Sequence, residues 1–301
     1  MTTPRQRRIA YVAWASICII WGTTYLGIKV GLETIPPFAM GAIRYLAAGG
    51  LLLAVLRARG ERVPSPRTWP GFLLLGLLML GFGNGGVAWA EQHVPSGLAA
   101  VLVSTTPFWM VGIEAVLANG EVPSVRALGG LAVGFLGVVL LVGPDIFAGG
   151  LESGRVVLGV VSLQLACVGW AAGSSWGKRH AGEVGPLASA SMQMLGGGLV
   201  LAVAATWSGE WHTLHFSPRS AGALVYLTLL GAVAGYGAYI YALKHLPVSF
   251  VSLYSYINPV IAVALGTLLL GEPFHLRMAF AIALILAGMA VVSATPGPRR
   301  S

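Results

Sequence analysis

Charge is scarce in this chain. Lysine and arginine number 18, aspartate and glutamate 10, and together they make up 9% of 301 residues. A soluble domain carries about 25%. At 9% a water-soluble fold could not cover its surface with solvated groups, and apolar contact would drive aggregation unless lipid is the solvent. Cysteine is almost missing as well. Cys18 and Cys167 lie inside apolar runs with no CxxC pair, which argues against a disulfide framework or a zinc site. Both read as small apolar core residues. No P-loop occurs, so ATP is not the direct energy source. No HExxH, GxSxG or rhomboid-like serine dyad occurs either, so an enzyme is not expected, nor any cofactor. Alternating apolar and polar strand patterns are absent, which disfavours a membrane β-barrel.

What the chain does have is length in apolar runs. Hydrophobic residues make up 56%, and the mean hydropathy is +0.80. Ten runs can be read, at 9–30, 37–56, 69–90, 96–118, 126–143, 156–177, 186–206, 221–243, 249–270 and 276–294. Each is about the length that crosses a hydrocarbon core. Loop-like breaks separate them, among them Pro36-Pro37, Pro64-Ser65-Pro66, Val94-Pro95, Gly143-Pro144, Leu246-Pro247 and Gly271-Glu272-Pro273. The first run follows Arg5, Arg7 and Arg8 as a signal peptide would. It continues through Trp21 to Ile28 without a small-residue cleavage site, and reads as a span.

The net charge is +8, but its cations lie between apolar runs instead of forming one basic face. That pattern is a topology signal, not a nucleic-acid surface. With the N-terminus placed in the cytoplasm, 13 Lys and Arg residues fall in inside segments and 3 in outside ones, leaving Lys29 and Arg44 at or within spans. The bias puts both termini inside and makes the span count even.

The two halves repeat each other. A shift of 149 residues sets Cys18 on Cys167, Trp21 on Trp170, Lys29 on Lys178, Pro37 on Pro186 and Gly49 on Gly198. A shift of 152 sets Gly85 on Gly237, His93 on His245, Pro95 on Pro247 and Pro107 on Pro259. Glu121 then meets Glu272, Arg126 meets Arg277 and Gly137 meets Gly288. Five spans per half is an odd number, so the second copy enters the membrane in the opposite sense. The expectation is an all-α integral membrane protein of ten transmembrane helices, built as two inverted five-helix repeats over residues 1–145 and 146–301. Secondary transporters commonly have this plan, with the substrate near the midplane between repeats.

Several segments resemble the EamA family of the drug/metabolite transporter superfamily. Trp21-Gly22-Thr23-Thr24-Tyr25 is similar to its first-span signature. Pro36-Pro37 followed by Arg44-Tyr45-Leu46-Ala47-Ala48-Gly49 is similar to its second span. Ala90-Glu91-Gln92-His93-Val94-Pro95-Ser96-Gly97 resembles the third-to-fourth-span junction, and Tyr256-Ile257-Asn258-Pro259 with Gly271-Glu272 the ninth span. The resemblance covers nearly the whole chain. It implies a ten-span bacterial permease that exports or exchanges small metabolites. In the second copy Ala171 stands for Gly22 and Gln193 for Arg44, so the site is not expected to be strictly symmetric.

Polar groups within spans are costly and tend to face a cavity or the bundle interior. Trp21 and Trp170 occupy equivalent positions well inside spans, unlike the usual interfacial tryptophans. Inverted symmetry predicts them on opposite sides of one central site. Thr24 and Ser174 lie about one turn further on. Asn84 sits in the run Gly81-Phe82-Gly83-Asn84-Gly85-Gly86, where local unwinding can free carbonyls. Trp109, Tyr236, Tyr254, Tyr256 and Asn258 complete the substrate-binding candidates. Arg44 reads either as a carboxylate anchor or as a tie to helix-end carbonyls or Glu33. Lys29 could act in coupling or snorkel to the surface. Glu114 reads as a proton-coupling carboxylate or an interfacial partner. Glu91 and His93 either gate access or end a helix. Gly130, Gly134 and Gly137 form a small-residue stripe for a neighbouring span or a second protomer.

The function expected is a secondary transporter of amino acids, amphipathic compounds or drugs in the bacterial inner membrane. It would work as a monomer or homodimer, driven by protons or a counter-substrate. An intramembrane enzyme would need converging His, Asp or Glu residues, which the chain lacks. A non-transporting scaffold would have no central cavity.

Overall fold

Prolines open several of the long helices, where a missing N–H costs nothing and a fixed φ is already helical. Helix α1 (Pro4–Gly31) starts behind a Thr3 capping box with Gln6, and α2 (Pro37–Ala58) starts at Pro37. The computed structural model describes residues 3–61, 63–116, 151–180, 184–246 and 254–294, with scattered positions between 124 and 140 and residue 251. No strand occurs among them.

After α2 come α3 (Trp69–Leu75), a π-helical segment (Gly76–Gly85) and α4 (Gly86–Ala90), which run on as one helix. Then follow α5 (Ser96–Val103) and α6 (Thr106–Val116). The second half contains α7 (Leu151–His180) and α8 (Pro186–Trp207), then the short α9 (Glu210–Thr213). Helix α10 (Pro218–Tyr226), a second π-helical segment (Leu227–Ala234) and α11 (Gly235–His245) again form one continuous helix. Helices α12 (Tyr254–Leu270) and α13 (Leu276–Ala294) close the described chain.

Among the described residues 6 helices are long and apolar enough to cross a membrane, and they cover sequence runs one to three and six to eight. Runs four, nine and ten correspond to the shorter apolar helices Ser96–Met110, Ile257–Leu270 and Leu276–Gly288. Run five is described only at scattered positions up to residue 140. The outer surface displays large apolar side chains such as Ile19, Leu51, Phe82, Leu165, Leu199 and Leu268. Such a surface suits lipid and not water. The chain is a multi-pass membrane protein.

Close glycine contacts bring the helices together. The most extensive pairing is α2 against α8. A methyl group at Gly49 would meet Leu195 Cγ at 2.9 Å, and one at Gly198 would meet Leu46 Cγ at 2.8 Å. These contacts are reciprocal under the 149-residue shift. The glycine stripe behaves likewise: a methyl at Gly137 would meet Ile285 Cγ1 at 2.8 Å, and one at Gly288 the Gly134 nitrogen at 2.5 Å. That stripe is therefore packed against α13 within the chain.

Loop carboxylates cap helix starts. Glu272 accepts from Ser96 N at 2.8 Å, Ser96 Oγ at 2.9 Å and Gly97 N at 3.2 Å at the head of α5. Glu210 accepts from Ala39 N at 2.8 Å at the head of α2. Both place negative charge on free N–H groups at a positive helix end.

Candidate functional site

The two π-helical segments fix the site. A π turn bonds i to i+5 and inserts a residue, so it rotates the following helix and loosens carbonyls from their usual partners. One such carbonyl belongs to Gly231, which accepts from the Trp21 indole N–H at 3.1 Å. Glycine lets two side chains come close here: a Cβ on Gly231 would meet Arg44 Nη2 at 2.9 Å and Thr24 Cγ2 at 3.1 Å. Trp21 also lies against Gly235 and Trp170 against Gly83, a third reciprocal pair, now under shifts of 149 and 152.

Around this point lies a cavity of about 90 Å³. Small-molecule sites usually measure about 300–1,000 Å³, so this cavity is smaller than most. Its wall is aromatic. The rings of Trp21 and Trp170 meet edge to face at 5.9 Å. Tyr254 lies 5.0 Å from Trp21, and Tyr236 lies 6.4 Å from Trp170. Tyr239 touches all four. The two tryptophans, expected on opposite sides of one central site, are in direct ring contact there. The contact is made by the two large rings themselves, not by close packing of α1 on α7.

Arg44 is the charged member of the lining. It is only 6% exposed, and its guanidinium carbon lies 4.9 Å from the Tyr45 ring centre. Its Nε has no hydrogen-bond partner. Glu33, its sequence-level alternative partner, pairs instead with Arg219 at 3.1 Å on the exposed surface. Among the described residues no carboxylate lies within ion-pair distance of Arg44. The equivalent residue of the second half, Gln193, is fully engaged: it accepts from Tyr236 Oη at 2.6 Å and donates to Ser189 Oγ at 2.7 Å. The two equivalent positions thus differ: Arg44 lines the cavity and Gln193 does not.

Of the sequence candidates, Trp21, Thr24, Arg44, Asn84, Trp170, Tyr236, Tyr254 and Asn258 line the cavity together. Asn258 Nδ2, with its amide oriented to suit its neighbours, donates to the carbonyls of Tyr254 at 3.1 Å and Cys18 at 3.0 Å. Trp109 is outside the lining; its indole donates to Gln164 at 2.9 Å, and it is 38% exposed. Ser174 is outside it too, with its Oγ buried and unpartnered. Lys29 caps a helix end, donating to the carbonyls of Glu91 at 2.6 Å and Val94 at 3.3 Å. The side chains of Glu114 and Tyr256 lie outside the described residues. Sequence reasoning missed Tyr25, Tyr45 and Cys167 as lining residues. Tyr25 and Tyr45 each adjoin a named candidate, which was the available signal. No group of three His, Cys, Asp or Glu residues suited to a metal occurs among the described residues.

Comparison with known proteins adds a family. The EamA-like transporter family matches the chain twice, over residues 8–143 and 157–294. The chain is 37% identical over 290 residues to the uncharacterized inner membrane transporter YedA of Escherichia coli K12, covering 96% of this chain and 92% of that protein. It is 25% identical over 290 residues to the uncharacterized transporter YvbV of Bacillus subtilis 168, again covering 96% and 92%. A protein of known crystal structure shares the fold, with a TM-score of 0.66 and 22% identity over 95% of this chain and 97% of that one.

Proposed function

The chain belongs to the EamA-like transporter family, and from that premise we propose that it moves small organic compounds bearing a carboxylate across the bacterial inner membrane by alternating access. The observation that carries this reading is Arg44. Among the described residues it has no counter-ion, and a buried guanidinium left so is expensive. A substrate carboxylate can meet it with two parallel hydrogen bonds, while the Trp21, Trp170, Tyr236 and Tyr254 rings receive an apolar or aromatic body. Amino acids and related amphipathic compounds combine those two features. The E. coli relative is named as an inner membrane transporter, which supports the location.

The alternating-access part rests on the repeat. The family match falls once in each half. The α2 and α8 helices have 22 residues each, and each half carries one π-containing helix. The reciprocal glycine contacts are what a pseudo-two-fold relation produces, residue i meeting j and j meeting i. These features support two inverted five-span repeats, residues 1–145 and 146–301, with ten spans and cytoplasmic termini. Exchange of conformations between the halves would then open the cavity to either side. The internally packed glycine stripe favours a monomer over a homodimer. Proton antiport or substrate exchange supplies the drive.

The test uses purified protein in liposomes with an imposed pH gradient, offered a panel of labelled amino acids and dyes. Saturable flux of at least one carboxylated compound is expected. Absence of saturable flux for every compound, with folded protein present, would contradict the reading.

A further inference from the structure

One ionisable side chain is completely enclosed and has no role in the cavity. Glu91 ends α4, with 0% of its surface exposed. Neither carboxyl oxygen has a hydrogen-bond partner. It lies just beyond the membrane-crossing stretch Pro66–Ala90, in the turn before α5. An ionised carboxylate held this way would lose its hydration and gain no hydrogen bond in return.

The surrounding charges come from four elements. On α1, the Lys29 ammonium is the nearest favourable charge, but its hydrogen bonds go to the Glu91 and Val94 carbonyls and not to the carboxyl. Tyr25, also on α1, feels the Glu91 charge and lines the central cavity. The turn before α13 contributes Glu272, a second carboxyl that opposes ionisation of Glu91. The same turn as Glu91 carries His93, packed edge to face on Trp89 at 4.7 Å, and α7 brings Arg155 to the side of His93. Burial pushes the Glu91 carboxyl well above the usual carboxylate range, Lys29 opposes that shift and Glu272 adds to it.

We propose that Glu91 is a proton-binding site that couples protonation to closure of this end of the bundle. With the turn closed, the carboxyl is enclosed and carries the proton. Opening that end admits water, restores hydration and lets the proton leave, with the carboxylate left facing Lys29. One proton is bound on closing and released on opening. The assignment rests on the transporter reading and deepens it by naming the group through which a proton gradient acts. On the proposed topology this end faces the periplasm, so external acid favours closure. Tyr25 connects the site to the cavity, because it feels the Glu91 charge and lines the cavity.

The test does not depend on finding the transported compound, so its failure is distinct from failure of the transporter reading. The first readout is the infrared carbonyl stretch of protonated carboxyl groups at pH 7. Wild type should show a band that Glu91→Gln removes and Lys29→Met leaves in place. A wild type without the band, or a band that survives in Glu91→Gln, overturns the proposal. So does a band seen only in Lys29→Met, because Glu91 would then be an ionised partner of Lys29. Should Glu91→Gln fail to fold, Glu91→Asp must shift the band, and an unmoved band overturns the proposal. The second readout is the transient current from proteoliposomes on a solid-supported membrane after an external pH jump without substrate. It should be present in wild type and at least about tenfold smaller in Glu91→Gln. Equal currents in the two overturn the coupling.

Discussion

Arg44 stacks on Tyr45 at 4.9 Å, and among the described residues this aromatic face is what balances the buried cation. A ring can offset part of the cost of desolvating a guanidinium, about 2 kcal/mol in a buried setting. It does not replace an anion. The expected consequence is that the substrate-free protein carries a stability cost which the substrate relieves.

Arg44→Gln should therefore not destabilise the substrate-free protein. A neutral amide of similar reach removes the uncompensated charge, so stability should stay level or rise by about 1–3 kcal/mol. Thermal unfolding in detergent is the check. A marked fall in the midpoint would mean that Arg44 has a structural partner.

Trp21 and Trp170 should both matter for flux and neither for folding. Trp21→Ala and Trp170→Ala should each lower flux by about tenfold or more while retaining folded protein. Trp21→Phe keeps the ring but loses the N–H donated to Gly231, a change of about 1 kcal/mol. Its flux should fall between wild type and Trp21→Ala. Full transport in both alanine variants, measured in proteoliposomes, would remove the aromatic wall from the account.

Gly49 and Gly198 make equivalent contacts, so equivalent substitutions should cost about the same. Gly49→Val and Gly198→Val each push a side chain into Leu195 or Leu46. Each should destabilise by about 1–3 kcal/mol, read as a matching drop in melting temperature. A large effect from one and none from the other would argue against the pseudo-symmetric packing.

Stability should fall as pH rises. Burial raises the Glu91 carboxyl above its ordinary value of 4.5, so the native protein keeps a proton that the unfolded chain releases above about that pH. The unfolded state then binds fewer protons, and stability is lost as pH climbs through the native value. Burial moves Glu210 the same way, so the informative comparison is between variants. Glu91→Gln should match wild type near pH 4 and exceed it by about 1 kcal/mol or more at pH 8. Parallel curves for the two proteins would contradict this.

Span positions and proline starts were legible because apolar length and helix-opening prolines are local properties. Trp21, Trp170 and Arg44 were legible because burying such residues in a span needs a reason. The rotation of each helix was not. Thr24 and Tyr25 are neighbours, and both reach the cavity. The π segments at Gly76–Gly85 and Leu227–Ala234 add a residue per turn, which breaks the 3.6-residue bookkeeping by which faces are read. Trp109 shows the opposite error. Its bulk made it a candidate, but a local partner, Gln164, decides where it points. Glu91 read as a helix-end residue from its position. Only the packed turn reveals that both of its oxygens are shut away from water and partners.

The central claim is that Arg44 makes the cavity a carboxylate site. The direct measurement is counterflow of labelled phenylalanine, or of whichever carboxylated compound the panel identifies, into proteoliposomes. The unlabelled acid and its neutral amide serve as competitors. In wild type the acid should compete at least about tenfold better than the amide, the effect of about 1.5–3 kcal/mol for hydrogen bonds to a charged group. In Arg44→Gln the two should compete alike. Equal competition in wild type, or undiminished preference for the acid in Arg44→Gln, would contradict the account.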